Sequence, residues 1–228
     1  MKLLFKKIII SLLITICMLS CDLFSFEVNA KKVDIGKTSY RFEKSPNELF
    51  SGRFLVIGDS YAVLMVENTI EYFNYVVHAG YDINKIYFEL LPLIQSNEFD
   101  YAFLFLGPND FMEQVDPKEF MFVLGLVVDI LKSKGIMPIL TDYVDPHYEY
   151  KVYSGLKDAD YNYMLYDTAV KEIVLGREVL YVPYEDLFRH YGYRSESDLV
   201  HPNDKMHEHL LKRVIAKIKE DQIKNPKK

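Results

Sequence analysis

Cysteine is nearly missing from this 228-residue chain, and both copies, Cys17 and Cys21, fall within the first thirty residues. The remainder can hold no internal disulfide and no cysteine-based metal cluster, which excludes disulfide scaffolds and zinc ribbons. Tryptophan is absent, although 18 Tyr and 15 Phe supply abundant ring surface. Positive charge is in deficit, with 27 Lys and Arg against 33 Asp and Glu, a balance of −6. An acidic chain gains nothing from a polyanion's field, so nucleic acid is not an expected partner. No internal repeat, low-complexity tract or Pro/Gly/Ser-rich linker divides the sequence, and one domain is the simplest organisation. With 50% hydrophobic and 26% charged residues, that domain is globular rather than disordered.

What the N-terminus does have is an address. Lys2, Lys6 and Lys7 precede an uncharged apolar run from Ile8 to Leu19. The run is shorter than the ~20 residues of a membrane span and has no polar face beyond Ser11 and Thr15, which suits a signal peptide. Two exits compete. Val28-Asn29-Ala30 fits the small-residue cleavage rule, and Met18-Leu19-Ser20-Cys21 looks like a lipobox that would leave Cys21 lipidated. An uncleaved anchor is the third alternative. The chain is expected to be exported, secreted or held at the cell surface, touching membrane only through this signal or a lipidated Cys21. Residues 1–30 are then the signal, 31–51 a polar lead-in and 52–228 the folded domain. No protein partner is inferred.

Within that domain, apolar runs of strand length alternate with helical periodicity. Phe54 to Ile57 ends at Gly58, Tyr75 to His78 at Gly80 and Tyr101 to Leu106 at Gly107. Met137 to Thr141 and Val179 to Val182, bounded by Pro183, complete five predicted strands. Tyr61 to Tyr72 reads as the first helix. Asp116, Pro117 and Glu119 predict a capped start for a later one, with Phe120, Leu124, Val127, Val128 and Leu131 on one face and Gly135 as its stop. A final helix from about Asp204 carries Met206, Leu210, Val214 and Ile218 down one side. The alternation predicts an α/β fold, a three-layer α/β/α sandwich around a parallel sheet of about five strands, flavodoxin-like in outline. Such sheets bind ligands at the carboxyl ends of their strands.

Those ends hold Gly58-Asp59-Ser60, His78-Ala79-Gly80 and Gly107-Pro108-Asn109-Asp110, while Asp198-Leu199-Val200-His201 stands just before the final helix. Each block has a bland explanation alone. Asp59 or Ser60 could merely cap a helix, Asn109 could be a turn former, and His201 a loop histidine. Together and in this order they resemble the SGNH (GDSL) hydrolases, over essentially the whole exported domain. The usual α/β-hydrolase elbow does not fit, because Ala62 stands where Gly-x-Ser-x-Gly needs its last glycine.

The resemblance implies the SGNH hydrolase fold and a serine esterase. Ser60 would be the nucleophile, His201 the base and Asp198 its orienter. The backbone N–H groups of Ser60 and Gly80 and the Asn109 side chain would form the oxyanion hole. The chain departs from the family in Leu199, where Gly is frequent, and in His78, where Asn is frequent. The chemistry is coherent. A serine hydroxyl needs a neutral imidazole to take its proton, and the imidazole needs a carboxylate to fix its tautomer. No cofactor is expected and no metal. His207 and His209, two apart on a helix, point about 200° apart and cannot share one ion. The expected substrates are O-acyl esters, foremost O-acetyl esters, of extracellular carbohydrate or small molecules. Alternatives on the same triad are a lysophospholipase, a thioesterase and an O-acyltransferase; from another class, an inactive glycan-binding surface protein. The Tyr-rich stretch 143–166, with Asp142, Asp145 and His147, reads as the least regular part. It is either a rim of rings that stack on sugars or a segment packed on the sheet.

Overall fold

The computed structural model describes residues 53–67, 74–96, 99–143, 159–190 and 201–226. The expectations for residues 1–51 lie outside them. Strands β1 (Phe54–Gly58), β2 (Asn74–Val77), β3 (Tyr101–Phe105), β4 (Met137–Leu140) and β5 (Leu180–Tyr181) form one sheet in the order β2-β1-β3-β4-β5. Every pairing is parallel. Strands covered on both faces must be apolar at every position, which is why β1 and β3 read as unbroken hydrophobic runs and are buried throughout.

Alternate residues of the strands feed two cores. Leu55, Ile57, Ala102, Leu104 and Leu140 face helices α2 (Ile83–Ser96), α4 (Pro117–Ser133) and α5 (Ala159–Gly176). Phe54, Val56, Tyr101, Phe103, Phe105 and Ile139 face α1 (Ser60–Glu67), α6 (Glu185–His190) and α7 (Asp204–Lys224). A one-turn helix, α3 (Asn109–Met112), follows β3. The expected three-layer sandwich is the observed one. No helix among the described residues is long and apolar enough to cross a membrane.

Local chemistry sets the ends of α4 as its sequence suggested. The Asp116 carboxylate accepts from the Lys118 N–H at 2.8 Å, and Pro117 occupies the first turn. The helix stops in a Schellman motif: Ile136 N–H reaches Leu131 O at 3.0 Å and Gly135 N–H reaches Lys132 O at 2.9 Å. Glu119, however, accepts from Asn84 of α2 at 3.0 Å, joining two helices. On α7, Met206, Leu210, Val214 and Ile218 are all completely buried, as their spacing predicted.

Boundaries shifted where pairing rather than hydrophobicity decides. β2 runs one residue earlier than its apolar run implied. β5 pairs only with β4 at the sheet edge and shrinks to two residues, although Val182 still donates to Leu140 O at 2.9 Å. Gly135 sits at φ +72, a conformation that a Cβ disfavours although open space surrounds it. Gly135→Ala should therefore destabilise the domain by about 1–2 kcal/mol. The check is a lower urea midpoint at an unchanged m-value; an unchanged midpoint would contradict the strain.

Candidate active site

β1 ends where no side chain fits. A Cβ on Gly58 would lie 2.1 Å from Phe105 O and 2.6 Å from the Ala62 Cβ. The chain then turns at Asp59, whose carbonyl accepts from Val63 N–H at 2.9 Å as α1 begins. The Asp59 carboxylate accepts from Tyr61 N–H at 3.0 Å and from Gly107 N–H at 2.7 Å. The capping role weighed for the Asp-Ser pair thus belongs to Asp59, and the Ser60 hydroxyl is left for another use.

That use is His201. Its Nε2 lies 2.9 Å from Ser60 Oγ, joining groups 141 residues apart. The edge of the contact is an aromatic one: the Tyr61 and His201 rings meet at 5.4 Å and 61°. Just beyond His201, Asn203 caps α7 by accepting from Met206 N–H at 3.2 Å, which fixes the backbone that carries the imidazole. With Nε2 turned to the serine, Nδ1 is the atom that an orienting carboxylate has to reach. Asp198, expected in that role, lies outside the described residues.

β3 leads into the third block. Gly107 has no room for a side chain either, since its Cβ would meet both Asp59 carboxylate oxygens at 2.9 Å. Asn109 opens α3 and is buried, and its Nδ2 has no hydrogen-bond partner among the described residues. An orphaned buried donor costs about 1–3 kcal/mol. Such a group calls for an explanation, and a catalytic role is one. Gly80 takes φ +76 in a turn closed by Tyr81 N–H to His78 O at 3.3 Å. His78 N–H donates to Gly58 O at 3.2 Å, extending the β1–β2 ladder one residue past β2. The register that pairs Gly58 with Val77 thus continues through His78, immediately before Ala79 and Gly80.

Two groups in the foundations were not foreseen. Asp110 is buried, and its Oδ1 accepts from Ile83 N–H, the first of α2, at 2.7 Å. Burial pushes its carboxyl up to about 8, against that hydrogen bond and with the Asp59 and Asp82 charges adding to the rise. Burial likewise pushes Asp59 up to about 7, opposed by its backbone donors. For the tyrosines, the described part bears out packing within the fold, the second of the two readings. Tyr143 and Tyr166 are buried and stack at 5.0 Å and 16° beneath α3. Phe111 N–H donates to the Tyr143 hydroxyl at 3.2 Å, and the Tyr166 hydroxyl donates to Asp110 O and to Val115 O. The Tyr163 hydroxyl donates to Tyr143 O. In their described part, these rings support the site from below rather than forming a rim, and residues 159–166 are helical. The 163, 166, 170, 173 spacing carried that signal. Tyr148, Tyr150, Tyr153, Asp145 and His147 lie outside the described residues.

Asp142, at the end of β4, caps α6 by accepting from Tyr184 N–H at 2.7 Å and Glu185 N–H at 2.9 Å. Burial raises its carboxyl. His207 is buried on α7 and His209 exposed, so the two do face apart. Burial, with His201 nearby, drives the His207 imidazole down to about 3 and keeps it neutral. Among the described residues no three His, Cys, Asp or Glu side chains gather as a metal site.

No family model and no curated protein matches the sequence. Solved structures do match. A GDSL-like lipase from Bacteroides thetaiotaomicron superposes with a TM-score of 0.62 at 15% identity, over 73% of this chain and 88% of that one. A psychrotrophic esterase from Pseudoalteromonas gives 0.54 at 14% identity, over 74% of this chain and 97% of that one. An acetylxylan esterase from Geobacillus stearothermophilus gives 0.53 at 18%, covering 74% and 94%. The chain has the fold of the SGNH/GDSL hydrolases.

The buried acids make a pH prediction. A carboxyl whose folded pKa is raised binds its proton more tightly folded than unfolded, so its stabilising effect is full at low pH and lost as pH rises towards the folded value. The slope is at most about 1.4 kcal/mol per pH unit for each group. For Asp110 the window runs from the ordinary carboxylate range up to about 8. Asp110→Asn keeps an acceptor for Ile83 N–H without titrating. Its stability relative to wild type should rise steadily between pH 5 and about 8. Chemical unfolding at a series of pH values measures this, and a pH-independent difference would contradict it.

Proposed function

We propose that this chain is an exported serine ester hydrolase acting through an acyl-enzyme on Ser60. The observation that carries the reading is the 2.9 Å contact between Ser60 Oγ and His201 Nε2 at the carboxyl end of a parallel sheet. Neutral Nε2 takes the hydroxyl proton as Oγ bonds to the ester carbon, and the carbonyl electron pair moves onto its oxygen. Collapse of this adduct expels the alcohol, which leaves with the proton from His201. Water then attacks the acyl-enzyme by the same route, releasing the acid and restoring Ser60. Asp198, three residues before His201 in the sequence, is the proposed orienter of Nδ1.

The negative oxygen needs donors that wait for it. The unpaired Nδ2 of Asn109 supports its assignment as one of them. Ser60 N–H, in the first turn of α1, is among the N–H groups that a helix leaves unsatisfied, and Gly80 N–H is the third proposed donor. The proposed substrates are O-acyl, foremost O-acetyl, esters of carbohydrate outside the cell. That choice is supported by the signal-like N-terminus and by the similarity to an esterase named for acetylated xylan. Tyr143 and Tyr166, which are buried, do not contribute to it.

Hydrolysis of p-nitrophenyl acetate tests the reading. Ser60→Ala and His201→Ala should each lower kcat by several decades, with the double variant little worse, because the pair acts as one unit. Asn109→Ala should lower kcat by ~10²–10³ with KM little changed. Independent, multiplying losses for Ser60 and His201 would sink the pair, and an effect on KM alone would make Asn109 a substrate-positioning residue. Acetylated xylan set beside long-chain esters decides the substrate class.

A further inference from the structure

The turn that carries Gly80 is tied down by side chains that the hydrolytic reading leaves unused. His78 and Tyr81 occupy its first and last positions, and their rings stack across it at 4.4 Å and 22°. One carboxylate of α2 receives both. Glu89 Oε2 lies 3.1 Å from His78 Nε2, and Glu89 Oε1 accepts from the Tyr81 hydroxyl at 3.2 Å. The glycine between them has φ +76 and nothing within 4 Å of where a Cβ would stand, so packing at Gly80 itself does not fix the peptide. It is closed by one backbone bond, Tyr81 N–H to His78 O at 3.3 Å, which is long for the purpose.

The same helix also governs the other donor turn. Ile83 N–H, at the start of α2, is accepted by Asp110, next to Asn109. The turns carrying Asn109 and Gly80 are thus both referred to α2, one through its first N–H and the other through Glu89, two turns further on. A polypeptide that needs two donors at a fixed separation gains by fixing both to one rigid element.

We propose that Glu89, acting through His78 and Tyr81, is a positioning residue that holds the Gly80 N–H towards the ester's developing oxyanion. The inference rests on the serine-hydrolase reading. His78 and Glu89 are 47% and 41% exposed, and a side-chain contact that accessible adds little to global stability. The clamp therefore acts on the local geometry of the turn and not on the fold. This separates it from a merely structural contact: the rate should suffer while the melting temperature does not.

Wild type, Ser60→Ala, Glu89→Ala, Glu89→Gln and Tyr81→Phe are compared for kcat and KM on p-nitrophenyl acetate and for thermal midpoint. Glu89→Ala should lose about three- to tenfold in kcat with KM within about twofold, as expected for a donor displaced from the transition state. Its midpoint should stay within about 2 °C of wild type. Tyr81→Phe, which keeps the ring stack and loses one bond, should fall between. Glu89→Gln, whose amide can still meet both partners, should keep most of the rate. A Glu89→Ala enzyme with wild-type kcat, with its loss confined to KM, or with a rate loss matched by a fallen midpoint overturns the clamp. If wild type turns over and Ser60→Ala does not, the hydrolase reading stands and the Glu89 variants judge the clamp alone. If wild type and Ser60→Ala are equally inactive, both fall together.

Discussion

The carboxylate of Asp59 is the joint on which the site depends. It receives N–H groups from two different strand ends, Tyr61 after β1 and Gly107 after β3. Both bonds are buried, where an unmade bond is most costly. The joint dictates its neighbours. Gly107 must be glycine because a Cβ would strike the carboxylate, and Gly58 must be glycine because the backbone of Phe105 passes over it. With Asp59 committed to the cap, Ser60 begins α1 with its hydroxyl turned to His201. In Gly58-Asp59-Ser60, two residues build the corner and the third is left for chemistry.

A second layer of support reaches the site from below. α3 is a single turn, too short to hold itself by its own hydrogen bonds. It is fixed from outside at several points: Asp110 to the start of α2, and the backbone of Phe111, Asp110 and Val115 to the hydroxyls of Tyr143 and Tyr166. The stacked tyrosines pack edge-on against Phe120 of α4, at 5.4 and 5.2 Å, so the turn that bears Asn109 rests on the hydrophobic core. Tyrosine suits this place because one side chain gives both an apolar body for the core and a polar tip for a buried backbone group.

How much of this could be read beforehand follows from the range of the interactions. The five strands were legible because double burial forces a continuous apolar run, and α4 and α7 because their stripes repeat at helical spacing. Ser60, Gly80 and Asn109 were legible as ordered blocks at strand ends, and His201 as a block just before the final helix. The Asp110–Ile83 and Asp59–Gly107 bonds were not, since each joins residues far apart in sequence and a buried aspartate in a turn looks like any turn former. The tyrosines left two readings open for a related reason. Their count allowed ring stacking on a ligand or packing on the sheet alike, because whether a ring meets a sugar or a Phe depends on which face of α5 meets the sheet. The i, i+3 pair Tyr163 and Tyr166 was visible, yet the richer cluster around it obscured the period.

The electrostatics of the foundations fit the chemistry proposed above them. An anionic oxygen forming near Ser60 and Asn109 would be opposed by fixed negative charge close behind, and opposition is strongest where water is excluded. Asp59 and Asp110 stand there, and burial raises them to about 7 and about 8, so that near neutrality both are largely or partly protonated. Their oxygens keep the backbone N–H groups in place without a full charge on either. His207 shows the same rule with the opposite sign: burial drives it down to about 3, so it adds no cation beside His201. A carboxylate that must accept hydrogen bonds and an imidazole that must fill space are both held close to neutral by the same apolar surroundings. In the proposed turnover the changes of charge then fall on Ser60, His201 and the ester itself. Burial costs stability as the pH rises, and that cost is the counterpart of a site whose background charge stays low while the reaction's own charge develops.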